Sequence, residues 1–203
     1  FIRNNFLRQL YYDFNTHGVD YCCFGQPYYI EDESGDVDIL VAPKDISIVN
    51  DLILNRIQQQ TDIVFFKRQI HSTCHVKTSK FLIQLPKTQC PILQLDIFDS
   101  LHWRGLVYFD YSLARKHINY DSSIPVIKSD IAACVGAFKD MVYCNNIKES
   151  RILGGFHRDL LLETFINFGF SRKLLLDFCD SYFRSRRPGI SFLKLWLYRP
   201  RFT

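Results

Sequence analysis

The chain of 203 residues is poor in glycine and proline, with 9 and 7 of them, which excludes collagen-like, low-complexity and loop-dominated architectures. It lacks a strong excess of one charge. Its 25 Lys and Arg against 21 Asp and Glu leave a formal net charge of +4, too little by itself to call for a nucleic-acid partner. No apolar run reaches the roughly 18 to 20 residues that cross a bilayer, and no signal peptide is visible, so a soluble, cytoplasmic protein without a transmembrane segment is expected. The 7 cysteines form no C-x-x-C pair and no Cys/His pattern with zinc-finger spacing. They are expected to be buried, reduced thiols of a reducing compartment. G-x-S-x-G, H-E-x-x-H, G-x-x-x-x-G-K-[ST] and G-x-G-x-x-G are all missing, which removes serine-hydrolase, zincin, P-loop and Rossmann readings. His71 and His75 are four apart in strand-like sequence, so they share no helix face and no zinc is assigned to them. The first residue is Phe1 and the sole methionine is Met141, so a trimmed N terminus is expected.

What is present is an ordinary globular composition, 47% hydrophobic and 23% charged, with an aromatic share of 15% that suits a dense core. Apolar residues at Phe6, Leu7, Leu10, Tyr11 and Phe14 have helical spacing and predict a helix over 1–16, closed by Gly18. Short apolar runs predict strands at 19–24 and 36–42. Asp45 is a candidate N-cap for a helix burying Ile46, Val49, Leu52, Ile53 and Ile57. Strands are expected at 62–70, 74–85, 92–98 and 106–109, a short helix at 111–117 and an extended piece at 124–127. From Ser129 onward the pattern turns helical, with runs to Tyr143, over 155–168 and 171–184, and a last helix over 190–198. The expected fold class is α/β (α+β), a mixed sheet in residues 1–128 followed by a helical C-terminal region, 129–203, packed on it.

The chemistry is concentrated in Tyr21-Cys22-Cys23-Phe24-Gly25-Gln26, a polar loop, and Asp36-Val37-Asp38-Ile39-Leu40-Val41. Side chains alternate along a strand, so Asp36 and Asp38 share a face about 7 Å apart. An acidic pair opening an apolar strand is costly to bury and suits divalent metal ions bound through hard oxygen ligands. A second acidic strand follows at Leu93-Gln94-Leu95-Asp96-Ile97, where Asp96 lies opposite the aliphatic row. If the two strands are neighbours, three carboxylates converge, a site for two Mg²⁺ ions and in-line displacement at phosphorus, with Asp96 also a general base. The bland alternatives are a solvated turn for the first pair and an exposed or ion-paired carboxylate for Asp96. Asp99 is a rival on the other strand face. Lys67, Arg68, Lys77, Lys80 and Arg104 are candidate cations for a triphosphate, and Lys139 could reach the site from the helical region.

At Phe24-Gly25, a loop, Asp36-Val37-Asp38 and then Asp96, the chain resembles the nucleotidyltransferase fold of the DNA-polymerase-beta superfamily. With Leu101-His102-Trp103-Arg104-Gly105 and Phe138-Lys139-Asp140, it is similar over residues 1 to 160 to bacterial nucleotidyltransferase-family proteins, many of them associated with surface-polysaccharide biosynthesis. The resemblance implies transfer of a nucleoside monophosphate from a nucleoside triphosphate such as ATP to a hydroxyl, with release of pyrophosphate. It implies Asp36, Asp38 and Asp96 as catalytic metal ligands for two Mg²⁺ ions. Gly25, Gln26, Lys77, Arg104 and Lys139 are the candidate nucleotide-binding residues. The expected acceptor is a small molecule or a protein. The chain departs from the family at Gln26-Pro27, where Gly or Ser follows the first Gly and where Pro27 has no N–H to offer. That departure favours a second reading, a catalytically silent binding module of a polysaccharide assembly system. A third reading is a toxin-type nucleotidyltransferase acting on tRNA or protein. The basic, aromatic tail from Arg184 to Arg201 reads as a docked helix, as a surface for anionic lipid or nucleic acid, or as a junction to a partner domain or protein.

Overall fold

The computed structural model describes residues 2–25, 27–28, 36–61, 63, 65–73, 76–84, 92–103, 106–121 and 123–144. Two compact units divide the chain, Phe1–Ile127 and Lys128–Thr203. Among the described residues the architecture is mixed α and β, built on one mixed sheet.

The first unit opens with helix α1, Ile2–Thr16, whose buried stripe is Phe6, Leu7, Leu10, Tyr11 and Phe14. The helix stops in a Schellman motif. Val19 N–H donates to the Phe14 carbonyl at 3.0 Å and Gly18 N–H to that of Asn15 at 3.2 Å, with Gly18 at a φ of 64°. Strands β1, Tyr21–Phe24, and β2, Asp36–Val41, follow and pair antiparallel. Helix α2, Ile46–Gln59, is entered through a 3₁₀ turn, Pro43–Asp45. Asp45 occupies the N-cap position, but its carboxylate makes no cap. It accepts the Asp20 backbone N–H at 2.9 Å instead, which pins the approach to β1 to the start of α2.

Strands β3, Phe65–Thr73, and β4, Val76–Gln84, form a hairpin, and β5, Ile92–Phe98, pairs with β4 antiparallel and with β2 parallel. Strands β6, Ser100–Trp103, and β7, Leu106–Asp110, make a separate two-stranded sheet. Helix α3, Tyr111–Ala114, is capped by Asp110, which accepts from Leu113 N–H. A 3₁₀ turn leads to β8, Ile118–Asn119, and then β9, Val126–Ile127. The main sheet runs β3-β4-β5-β2-β1-β9-β8. β6 and β8 were not expected from the sequence, being too short to show an alternation.

One core joins α1 and α2 to one face of this sheet, through Tyr21, Cys23, Val37, Ile39, Val41, Phe81, Ile83, Leu93, Leu95 and Ile97. The two helices are clamped by Arg56, whose guanidinium donates to both carboxylate oxygens of Asp13 at 2.6 Å. On the opposite face Leu40, Cys22 and Phe98 are buried, and Phe24 packs edge-on against Phe109 with ring centroids 5.6 Å apart. The first half of β2 and the middle of β5 place carboxylates on this face.

The described part of the second unit is helix α4, Ser129–Cys144, which buries Ile131, Cys134, Val135 and Phe138. The helices expected over 155–168, 171–184 and 190–198 lie outside the described residues. No helix among the described residues is long and apolar enough to cross a membrane.

Candidate metal centre

Register places the acidic residues side by side. β2 and β5 run parallel with Asp38 directly opposite Asp96 and Asp36 opposite Gln94. Val37, Ile39, Leu95 and Ile97, at the alternate positions, are buried against the helices and fix which face the carboxylates occupy. A one-residue slip would drive charge into that core. Carboxylate oxygens of Asp36, Asp38 and Asp96 lie within 4.8 Å of one another, with Asp36 exposed and the other two half-buried.

Three like charges at this spacing repel, each pair by about 1 kcal/mol in water and by more where the dielectric falls. Two neighbours offset part of this. The Gln94 side-chain amide donates to Asp36 Oδ2 at 3.1 Å. Lys80 stands opposite Asp96 across the β4–β5 ladder, with Nζ 3.4 Å from Oδ2. Hard carboxylate oxygens gathered this closely suit a hard divalent ion such as Mg²⁺ or Mn²⁺. The donor set therefore fits the metal that the sequence resemblance implies.

Gly25 follows β1 directly, beyond Phe24, which is opposite Asp38. Its φ is 81°, and a Cβ built there meets nothing within 4 Å. The backbone conformation, and not crowding, is what calls for glycine. The turn is tied to the helical layer by Tyr11, a buried side chain whose hydroxyl donates to the Pro27 carbonyl at 2.6 Å. The Cys23 thiol donates in turn to the Tyr11 hydroxyl at 3.5 Å. The Tyr11 ring stacks on Tyr21 at 6.0 Å and meets Tyr28 edge-on at 5.8 Å. Burial pushes the Cys23 thiol up to about 12, the Tyr11 hydrogen bond opposing this and the Asp38 charge adding to it. Burial also raises Cys22, Tyr21 and Tyr11. Cys22 and Cys23 are free, buried and protonated at neutral pH, so neither serves as a nucleophile.

The remaining sequence candidates fall in different places. Gln26 and Arg104 lie outside the described residues. Lys77 is on β4 opposite Ser72, at the alternate phase from Lys80. Lys67 is exposed on the aspartate side, whereas the Arg68 guanidinium lies 5.4 Å over the Phe81 ring on the core side. Lys139 is an exposed residue of α4 in the second unit. Asp99 is buried just past β5 and accepts the Ser100 hydroxyl at 2.9 Å. Of the trio's neighbours, Gln94 was not singled out by the sequence reading, while Lys80 was one of its five candidate cations and was passed over in favour of Lys77. Gln94 has the parity of Asp96 and was within reach of the alternation argument. Choosing Lys80 over Lys77 required the register of β4 on β5.

No protein-family model, curated protein or solved structure matches this chain.

Proposed function

We propose that this chain is a divalent-metal-dependent nucleotidyltransferase of the polymerase-beta-like fold. It transfers a nucleoside monophosphate from a nucleoside triphosphate to a hydroxyl of a small molecule or a protein. The observation that carries the reading is the convergence of Asp36, Asp38 and Asp96 from two parallel strands, with the positive-φ Gly25 turn beside them. Bound Mg²⁺ supplies Lewis-acid charge for the phosphates. Asp36 and Asp38 would hold it from one strand and Asp96 from the next. The Gly25 turn offers backbone to the triphosphate, and Tyr11 keeps that turn in place through Pro27. The acceptor oxygen forms a bond to the α-phosphorus, the bond from that phosphorus to the bridging oxygen breaks, and pyrophosphate leaves. Asp96 takes the hydroxyl proton.

The test is transfer of label from α-³²P-labelled ATP, CTP, GTP or UTP, with Mg²⁺ or Mn²⁺, into cell extract. Wild type labels a product and Asp38→Ala does not; equal labelling by both ends the reading. A silent nucleotide- or partner-binding module is the second reading, favoured by Gln26-Pro27 in place of the small residue the family pattern carries. Thermal stabilisation by a nucleotide with metal, without any labelled product, selects it.

A further inference from the structure

Asp96 stands between two neighbours of opposite charge. On one side the parallel ladder sets Asp38 opposite it, and on the other the antiparallel ladder sets Lys80 opposite it. The row continues to Gln69 on β3, opposite Lys80. Both register relations are fixed by the apolar residues on the reverse of the sheet, so the ammonium cannot be moved away by a slip of the strands. Lys80 Nζ lies 3.4 Å from Asp96 Oδ2, longer than a strong charge-assisted hydrogen bond. The side chains are 32% and 20% exposed, so solvent screens the pair only in part while the lysine keeps a route outward. A lysine ammonium is a compact charge on a flexible stem, with no fork to lock it onto a carboxylate.

We propose that Lys80 is an internal counter-cation of the aspartate trio, competing with the divalent ion for Asp96 and leaving that carboxylate when the ion binds. This rests on the metal-binding reading above and adds to it a device that sets metal affinity. In the metal-free protein Lys80 neutralises one of the three charges and holds Asp96 on its ladder position. When a divalent ion arrives, two cations contend for one carboxylate, and the work of displacing or tolerating Lys80 weakens the binding. The ion is therefore held less tightly than the carboxylates would hold it without Lys80.

The experiment is a titration of the metal-free protein with Mn²⁺ and no nucleotide, reading free Mn²⁺ by electron paramagnetic resonance at low ionic strength. Lys80→Met and Lys80→Gln should each bind Mn²⁺ about tenfold more tightly than wild type. Lys80→Arg, which keeps the charge, and Lys67→Met, which removes a charge on the same face outside the pair, should each stay within about threefold of wild type. Circular dichroism establishes that each variant is folded. The inference is overturned if both neutral Lys80 variants bind with wild-type affinity or more weakly, or if Lys67→Met tightens binding as much as they do. Should wild type and both neutral variants all fail to take up Mn²⁺ at millimolar concentration, the metal reading itself falls and takes this inference with it. Unchanged affinity among binding-competent variants sinks the inference alone.

Discussion

The helix-covered face of the sheet and the aspartate-bearing face each contain an ion pair, and the two pairs are built differently. Between α1 and α2, Arg56 grips Asp13 with Nε at 2.9 Å and Nη2 at 2.6 Å, and Gln9 accepts from both Arg56 and Gln60. Those side chains are 19% and 16% exposed. On the other face, Lys80 Nζ lies 3.4 Å from Asp96 Oδ2, with more solvent around the pair. A guanidinium fork on both oxygens of one carboxylate stabilises one geometry, while an ammonium on a flexible stem fixes none. The difference separates a pair locked in one geometry from a pair that leaves its cation room to move.

Substitutions break this comparison in order of size. Phe14→Ala, in the fully buried part of the helix layer, should cost ~3–5 kcal/mol of unfolding free energy in urea denaturation, through lost burial and the cavity left behind. Arg56→Met, which strands the Asp13 carboxylate in a half-buried site, should cost ~2–3 kcal/mol in the same measurement. Tyr11→Phe keeps the ring stack and removes the bond to Pro27, so it should cost about 1 kcal/mol. On the proposed nucleotidyltransferase reading it should also raise the apparent KM for the nucleotide while leaving kcat within about twofold, because the turn is loosened and the carboxylates are untouched. On the aspartate face the sign reverses. In metal-free buffer Asp38→Asn should stabilise the protein by ~0.5–1 kcal/mol, because it relieves like-charge repulsion, and it should abolish Mn²⁺ uptake. Destabilisation by Asp38→Asn would show that the trio is a structural element and would erase the contrast.

A separate effect is one of pH. The folded-state pKa of Cys23 is raised, so above about 9 the unfolded chain releases that proton while the folded chain holds it to about 12. The unfolded state then binds fewer protons, and stability falls with rising pH across that window. Cys22 and Tyr21 act in the same direction. Denaturation midpoints between pH 8 and 11 should fall less steeply in Cys23→Ala than in wild type, and equal slopes would remove Cys23 from the account.

Periodicity carried much of this fold. The stripe of α1, the alternation of β2 and the aliphatic row of β5 are local patterns, and local patterns are legible before any contact is known. The placement of Asp36, Asp38 and Asp96 on the polar side of their strands followed from the same alternation. Which strands adjoin did not follow from it, and Lys77 and Lys80 show why. They differ in parity on one strand, and only the ladder to β5 decides which of them faces Asp96. The tie from Tyr11 to Pro27 was equally hidden, since a long-range hydrogen bond from a helix to a turn leaves no spacing signature. β6 and β8 escaped because strands of 4 and 2 residues hold no readable period.

The parallel pairing of β2 with β5 has a consequence for the order of assembly. Asp36 and Gln94 are 58 residues apart, and the chain between them must build α2 and the β3–β4 hairpin before it returns in the same direction. Closing so long an excursion is slow compared with forming a helix or a hairpin. The carboxylates therefore meet late in the journey from the extended chain.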